Sequence, residues 1–234
     1  MNRQRSISAI AWDLDNTLFD RDAAFRRFFE VWLTEQRPAL DPAEQEKALS
    51  RIAAADSSGE TGRIEFCRTV LESLQIPKIQ PEDLWADIQE RLPSFIHPDL
   101  RVLSLLETLS MSFELIVVSN GGSKFQRAKV NRSGIARFFR PERILVSGDI
   151  GIRKPDHGIF DVCIDRLGCD PGEVLFVGDH LVNDIEGAAN AGMRTCWVTR
   201  GRVTPREIRT DLVVSHAAEL KSSYIKSLAS PIAA

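Results

Sequence analysis

Short apolar runs alternate with helical stretches through much of this chain. The first run, Ile7–Trp12, is bounded by polar residues, as expected for a buried strand of a parallel sheet. Five later β-rich runs follow it: Phe113–Asn120, Arg143–Ser147, Glu173–Asp179, Arg194–Thr199 and, near the end, Asp211–Ser215. Alternating strands and helices are typical of a parallel sheet covered by helices. The sequence therefore predicts an α/β fold with a doubly wound parallel sheet.

A block of helical patterns interrupts this alternation between the first and second strands. Its first helix carries an aromatic stripe, which is typical of packing rather than of a cofactor site: Phe25, Phe28, Phe29 and Trp32. We expect residues 1–18 and 97–234 to form the catalytic core and residues 19–96 to form an all-helical cap. Because ligands bind beyond the carboxyl ends of parallel strands, a cap inserted there would stand over the site.

Composition narrows the function classes. The net charge of −3 provides no basic surface for nucleic acid, and no run of apolar residues is long enough to span a membrane. The four cysteines lack CxxC spacing and only four histidines are present, which disfavours a zinc cluster. The amino-terminal stretch also lacks the apolar core of a secretion signal. We expect a cytoplasmic protein that is a monomer or homodimer and binds neither nucleic acid nor membrane.

Carboxylates cluster where the predicted strands end. The first strand is followed by Asp13 and Asp15, and the fourth by Asp179, with Asp184 close behind. Like charges held this close repel each other, so something must compensate them. Carboxylates without histidine or cysteine partners are hard oxygen ligands that suit Mg²⁺. The sequence therefore predicts a magnesium site at this edge of the sheet.

Groups suited to an anion converge on the same edge. The second strand ends in Ser119 and Asn120, followed by the turn Gly121-Gly122, and Lys154 follows the third strand. A hydroxyl, glycine-turn amides and a lysine together match a phosphate group. A metal beside a phosphate indicates phosphoryl transfer, in which one carboxylate can be the nucleophile and another the acid/base. Taken alone, a strand-end lysine would be a surface residue that contributes little to the core.

Four segments carry a family resemblance. The segments "DLDNT", "VVSNGG", "GIRKPD" and "GDHLVND" resemble, in order and spacing, the four motifs of the haloacid dehalogenase-like hydrolase superfamily. The helical insertion after the first motif resembles that superfamily's type C1 cap, and the resemblance spans about residues 7–200. It implies a Rossmann-like core with an inserted helical cap.

The resemblance also implies catalytic and metal-binding roles. Asp13 would be the nucleophile that becomes aspartyl-phosphate. Asp15 would protonate the leaving group and then activate water, while its backbone carbonyl contacts the metal. Asp179 would complete the Mg²⁺ shell and Asp184 would support it, through water or through Lys154. The superfamily's true dehalogenases lack an acid two residues after the nucleophile, so Asp15 favours a phosphatase.

Phosphate binding would use four further positions. By the same resemblance, Thr17 would orient the first motif, Ser119 and Lys154 would hold the transferring phosphoryl group, and a backbone amide near Asn120 would assist. The motifs are most similar to those of small-metabolite and nucleotide monophosphatases. The expected partner is therefore a small phosphorylated substrate.

Three alternatives stay open at this point. A phosphomutase of the same fold would need an activating bisphosphate and would isomerise sugar phosphates. A signalling receiver domain also phosphorylates an aspartate near Mg²⁺ and a lysine, but its acceptor follows the third strand of a chain about half this length. A non-catalytic phospho-ligand-binding protein would keep the phosphate-binding groups but would not hydrolyse the ligand.

Overall fold

The computed structural model describes residues 6–59, 61–203 and 209–228. Of these, the residues up to Asp20 and those from Pro98 onward form one compact unit, and Arg21–His97 form a second. The second unit comprises the helical block of the sequence. Its role as a cap over the strand ends stays a prediction.

The first unit is built on a six-stranded parallel sheet with the order β3-β2-β1-β4-β5-β6. The strands are β1 (Ala9–Trp12), β2 (Glu114–Ser119), β3 (Ile144–Val146), β4 (Val174–Gly178), β5 (Arg194–Val198) and β6 (Leu212–Val214). They coincide with the six predicted runs, which extend up to two residues further at each end. The predicted α/β class is confirmed.

The second unit is helical. Its helices are α1 (Arg21–Gln36), α2 (Pro42–Asp56), α3 (Arg63–Ser73) and α4 (Pro81–Arg91), with 3₁₀ turns at Ser57–Gly59 and Leu92–Phe95. The aromatic stripe of α1 lies in the interior, where Phe28 and Phe29 are fully buried and their ring centroids are 4.9 Å apart. Arg21 at the start of α1 donates to Asp56 at the end of α2 over 2.8 Å. The rings of Phe25 and Phe29 also lie 5.6 and 6.0 Å from that of Phe66 on α3, so the stripe packs α1 against α3.

Helices flank the sheet in the first unit. They are α5 (Leu100–Ser110), α6 (Ser123–Arg132), α7 (Ser147–Ile150), α8 (His157–Leu167), α9 (Gly187–Asn190) and α10 (Ser222–Ser227). A π-helical turn, Leu181–Glu186, precedes α9, and short 3₁₀ turns lie at Ala136–Phe138, Pro141–Arg143, Pro171–Glu173 and Ala217–Glu219. Within the described ranges, no helix is long and apolar enough to cross a membrane.

Strand β1 lies at the centre of the sheet. Trp12 pairs with Val117 of β2 on one side and with Val177 of β4 on the other. From β1 the chain proceeds to β2 and β3 on one side and later to β4 and β5 on the other. This reversal opens a crevice beyond the carboxyl ends of the central strands, where ligands bind in open α/β sheets.

Candidate active site

The ends of β1 and β4 carry two of the predicted site carboxylates. Asp13 directly follows β1, and its N–H donates to the Val177 carbonyl of β4 at 2.9 Å, which extends the sheet pairing by one step. Asp179 directly follows β4. The side chains of Asp13 and Asp179 are only 10% and 13% exposed. The sheet therefore holds both carboxylates side by side in a poorly solvated crevice.

Asp184 joins them from the π-helical turn after β4. The His180 N–H donates to Asp184 Oδ2 at 3.0 Å, and Gly178 leaves room for the carboxylate because a Cβ at that glycine would lie on it. Asp13, Asp179 and Asp184 each offer a carboxylate oxygen, and these oxygens lie within 4.8 Å of one another. Three of the four residues predicted to bind metal thus form one cluster.

Lys154 bridges two of these carboxylates. Its Nζ donates to Asp13 Oδ1 and to Asp184 Oδ1, each at 2.7 Å, and its side chain is 2% exposed. The Asn120 side chain holds the lysine backbone from both sides: Oδ1 accepts from the Lys154 N–H at 2.8 Å, and Nδ2 donates to the Lys154 carbonyl at 2.9 Å. Asn120 therefore contributes to the site by fixing the segment that carries the lysine.

Burial and mutual repulsion raise the pKa values of two carboxylates in this cluster. Burial raises the pKa of Asp13 to about 7; Lys154 acts against this shift, and Asp184 adds to it. Burial raises the pKa of Asp179 to about 8, with repulsion from Asp13 and Asp184 adding to the effect. Burial lowers the pKa of Lys154, but the two carboxylates raise it above its ordinary value. Three close carboxylates with oxygen-only donors, together with the raised pKa values of Asp13 and Asp179, fit a divalent cation such as Mg²⁺.

A second cation, Arg202, contacts this cluster from the loop after β5. Its Nη2 donates to the Asp179 carbonyl at 2.5 Å and to Asp179 Oδ2 at 3.1 Å. Trp197 of β5 also donates to the Asp179 carbonyl, through Nε1 at 3.0 Å. The backbone of Asp179 is therefore held firmly, while the half-exposed arginine partly offsets the charge of its carboxylate.

Asp15 stands apart from the carboxylate cluster. Its Oδ1 and Oδ2 accept from Lys129 Nζ at 2.9 and 2.8 Å, and Oδ2 also accepts from Gln126 Nε2 at 2.9 Å. The Asp15 carboxylate thus faces helix α6, and the carboxylate cluster consists of Asp13, Asp179 and Asp184. The metal contact expected for Asp15 is through its backbone carbonyl, and this contact stays a prediction.

The remaining two predicted phosphate-binding residues lie on β2 and in the first motif. Ser119, the last residue of β2, is 1% exposed, and its Oγ accepts from Gln126 Nε2 at 2.6 Å. Thr17 is buried, and its Oγ1 has no hydrogen-bond partner among the described residues. The roles of Thr17 and Ser119 toward phosphate stay predictions.

Three residues at this edge were not anticipated from the sequence: Gln126, Lys129 and Arg202. Gln126 and Lys129 lie three positions apart on α6, on a face that also carries the buried Phe125 and Val130. The sequence feature that could have indicated them is a pair of polar residues on the apolar face of a helix, because residues at i and i+3 share a face. Arg202 lies in a loop, where no periodicity indicates which side chain turns inward.

The fold and this site place the chain among α/β proteins that carry a cluster of buried carboxylates at the carboxyl ends of the central strands. Consistent with this, a sequence model of the family described as haloacid dehalogenase-like hydrolase matches residues 10–198. The chain belongs to this family. The resemblance inferred from its four motifs is therefore confirmed.

Several curated relatives are phosphatases. Glyceraldehyde 3-phosphate phosphatase of Methanopyrus kandleri is 38% identical over 214 residues, covering 88% of this chain and 89% of the relative. N-acylneuraminate-9-phosphatase of Homo sapiens is 27% identical over 213 residues, covering 85% of each chain. These relatives support assignment of the chain to the phosphatase branch of the family, as the sequence predicts.

Solved structures share the fold with this chain. The magnesium-bound HAD-hydrolase YfnB of Bacillus subtilis superposes with a TM-score of 0.75 at 24% identity, covering 92% of this chain and 96% of that one. A 2-haloacid dehalogenase from Pseudomonas syringae has a TM-score of 0.58 at 28% identity, covering 91% and 96%. Because a dehalogenase shares the architecture, the fold alone does not select the reaction, and the site residues must decide it.

Proposed function

We propose that this protein is a Mg²⁺-dependent phosphomonoester hydrolase that acts through an aspartyl-phosphate on Asp13. The observation that carries the proposal is the hydrogen bond between buried Lys154 and Asp13 Oδ1 within a cluster of three carboxylates. A carboxylate nucleophile for phosphoryl transfer needs close positive charge, because the carboxylate and the phosphate are both negatively charged and repel each other.

The proposed metal ligands are the carboxylates of Asp13 and Asp179, with the Asp15 carbonyl, and Asp184 supports them. When bound, Mg²⁺ would neutralise charge on the carboxylates and on the phosphoryl oxygens. Lys154, which donates to Asp13, would also neutralise charge there. Because Lys154 already donates to Oδ1, we assign the attacking role to Asp13 Oδ2.

The reaction has two steps. In the first step, Asp13 Oδ2 attacks phosphorus, the bond from phosphorus to the ester oxygen breaks, and Asp15 gives its proton to that leaving oxygen. In the second step, a water attacks the phosphorus of the acyl-phosphate and loses a proton to Asp15. The bond from phosphorus to Asp13 breaks, which releases phosphate and restores both aspartates to their starting states.

A small phosphorylated metabolite or nucleotide is the proposed substrate. The relatives named as phosphatases of glyceraldehyde 3-phosphate and of N-acylneuraminate 9-phosphate support this size class. We propose that the helical unit, residues 19–96, acts as the cap that selects among such substrates. A cytoplasmic location and a monomeric or homodimeric state also stay predictions.

A phosphatase screen tests the proposal. The purified protein would be incubated with Mg²⁺ and a panel of sugar phosphates, nucleoside monophosphates and phosphorylated hydroxy acids, and free phosphate would be measured. We expect release from one chemical group of the panel and loss of that release in Asp13→Asn. Asp165→Asn, an exposed position on α8, is the matched control and should keep full activity.

The same experiment addresses the alternatives. Isomerised product that depends on added bisphosphate, without free phosphate, would identify a phosphomutase. Binding of panel members without turnover would identify a non-catalytic protein. A receiver domain is disfavoured, because its acceptor would follow the third strand, whereas Asp13 follows β1. Absence of phosphate release across the whole panel, including activated aryl phosphates, would overturn the proposed function.

A further inference from the structure

The carboxylate of Asp15 is held by donors from helix α6 that the two-step reaction does not use. Lys129 Nζ donates to both carboxylate oxygens, at 2.9 and 2.8 Å, and Gln126 Nε2 donates to Oδ2 at 2.9 Å. We call Lys129 and Gln126 the Asp15 clamp. With three hydrogen bonds on two oxygens, the carboxylate is fixed both in place and in the rotation of its plane.

The clamp also connects Asp15 to the predicted phosphate site. The same Gln126 Nε2 that donates to Asp15 donates to Ser119 Oγ at 2.6 Å. One amide group therefore sets the spacing between the proposed acid/base and a hydroxyl proposed to hold the phosphoryl group. Proton transfer to the leaving oxygen needs this spacing, since misplacement by about 1 Å can cost on the order of 10²-fold in rate.

Both clamp residues are buried, and a neighbouring glycine leaves room for the side chain of Gln126. Lys129 is 4% exposed and Gln126 is 1% exposed, and Lys129 Nζ lies 4.3 Å from the centre of the Phe125 ring. Gly121, with φ of +155°, leaves room for the glutamine, because a Cβ there would be 2.7 Å from Gln126 Cγ. A lysine is rarely buried without a charged partner. Packing alone would be served by an apolar side chain such as Val130 beside it.

We propose that Lys129, with Gln126, is a positioning residue that acts on catalysis only through the Asp15 carboxylate, which it orients. The inference rests on the proposed function, in which Asp15 moves protons. A buried ammonium that bonds both oxygens holds the carboxylate in one orientation, which a neutral single donor does not. Loss of the clamp therefore affects the proton-transfer role of Asp15 and leaves attack by Asp13 intact.

Two aryl phosphates of similar shape separate these roles. The leaving group of 4-nitrophenyl phosphate departs with little need for a proton, whereas that of phenyl phosphate depends on one. For Lys129→Met we expect kcat/KM to fall about tenfold or more on phenyl phosphate and to stay within about threefold on 4-nitrophenyl phosphate, because general acid catalysis contributes roughly 10²–10⁴-fold. Lys124→Met, an exposed lysine on the same helix, should leave both values unchanged.

The Asp15→Asn background provides the second readout. If Lys129 acts only through Asp15, adding Lys129→Met to Asp15→Asn should change kcat/KM on phenyl phosphate by less than about twofold. Lys129→Arg should recover part of the loss, since arginine also offers two donors to a carboxylate. If Lys129→Met does not fold, Lys129→Gln, which keeps a neutral donor at this position, provides the same comparison of the two substrates.

The outcomes separate this inference from the function it rests on. An equal loss on both substrates, no loss on either, or a full additional loss in the Asp15→Asn background would overturn the clamp while leaving the phosphatase intact. A wild-type protein that releases no phosphate from either aryl ester would overturn the proposed function itself, and the clamp with it.

Discussion

Lys154 Nζ lies 2.7 Å from Asp13 Oδ1, and both side chains are almost entirely removed from solvent. Lys154 also contacts Asp184 at the same distance, so one ammonium serves two buried carboxylates. Removing it would leave those carboxylates facing each other without a protein cation between them. The contact therefore links the reactivity of Asp13 to the stability of the core.

Lys154→Met should lower turnover by about 10²-fold or more, because a preorganised charge stabiliser contributes on that order. It should also destabilise the metal-free protein by roughly 3 kcal/mol, the usual cost of removing one partner from a buried ion pair. Kinetics and denaturant unfolding measure the two effects, with Lys124→Met as the exposed control. Activity within about threefold of wild type would show that another cation performs this task.

The activity should require a metal ion, and binding of that ion should release protons from the carboxylate cluster. Chelation with EDTA should abolish hydrolysis of an aryl phosphate, and added Mg²⁺ should restore it. The pKa values of Asp13 and Asp179 are about 7 and about 8, so in a fraction of the molecules each carboxyl group carries a proton at pH 7. Mg²⁺ must displace these protons when it binds. Titration calorimetry at pH 7 in buffers of different ionisation enthalpy should detect this release. Full activity in EDTA would contradict the assignment.

Stability should depend on pH in a defined direction. Both carboxylates have folded pKa values above their ordinary 3.8, so the folded state retains protons that the unfolded state releases. Their contribution to the free energy of unfolding therefore declines as the pH rises from about 4 to about 8. Saturating Mg²⁺ should reduce this decline, and Asp13→Asn should remove part of it. Thermal unfolding across this pH range, with and without Mg²⁺, provides the measurement.

Gly178 should be intolerant of a side chain. A Cβ at this position would lie on the Asp184 carboxylate, so Gly178→Ala must displace Asp184 from its place beside Lys154. We expect the Mg²⁺ concentration for half-maximal activity to rise about tenfold or more, as for other changes to groups that orient metal ligands. Gly172→Ala is the matched control, because a Cβ there meets nothing within 4 Å. Equal metal dependence of the two variants would remove Asp184 from the site.

Much of this architecture could be predicted from the sequence because the ends of the strands are recognisable in it. A buried strand shows as an apolar run, and the polar residue that follows it must lie at the carboxyl edge of a parallel sheet. Asp13, Ser119 and Asp179 lie there for that reason. Their position at this edge could be predicted without knowing the direction of any side chain.

Side-chain partners were harder to predict, because they depend on which way each residue turns. Lys129 and Gln126 share a face of α6 with the buried Phe125 and Val130, but the sequence does not show which side chain lies opposite that face. Lys154 was expected to contribute little to the core, yet its side chain is 2% exposed. A backbone amide near Asn120 is expected to assist phosphate binding, which stays a prediction; the sequence did not show that the Asn120 side chain holds the Lys154 backbone.

The two aspartates of the first motif should fail in different ways when they are replaced. Asp13 lies in the carboxylate cluster beside Lys154, whereas Asp15 faces Lys129 and Gln126. Asp13→Asn removes the nucleophile, so no phosphoenzyme should form. Asp15→Asn keeps the nucleophile but lacks the group that takes a proton from water, so hydrolysis of the acyl-phosphate should slow by about 10²-fold or more.

An activated aryl phosphate makes this difference visible. Its leaving group departs without a proton, so Asp15→Asn should still form the acyl-phosphate and then accumulate it. Intact-protein mass spectrometry of the quenched reaction should show one added phosphoryl group in Asp15→Asn, little in the wild type and none in Asp13→Asn. Peptide mapping should locate the group on Asp13. A phosphoryl group on another residue, or no added phosphoryl group in either variant, would refute separate roles for the two carboxylates. Their separate surroundings favour the opposite result, since one is placed to attack and the other to move protons.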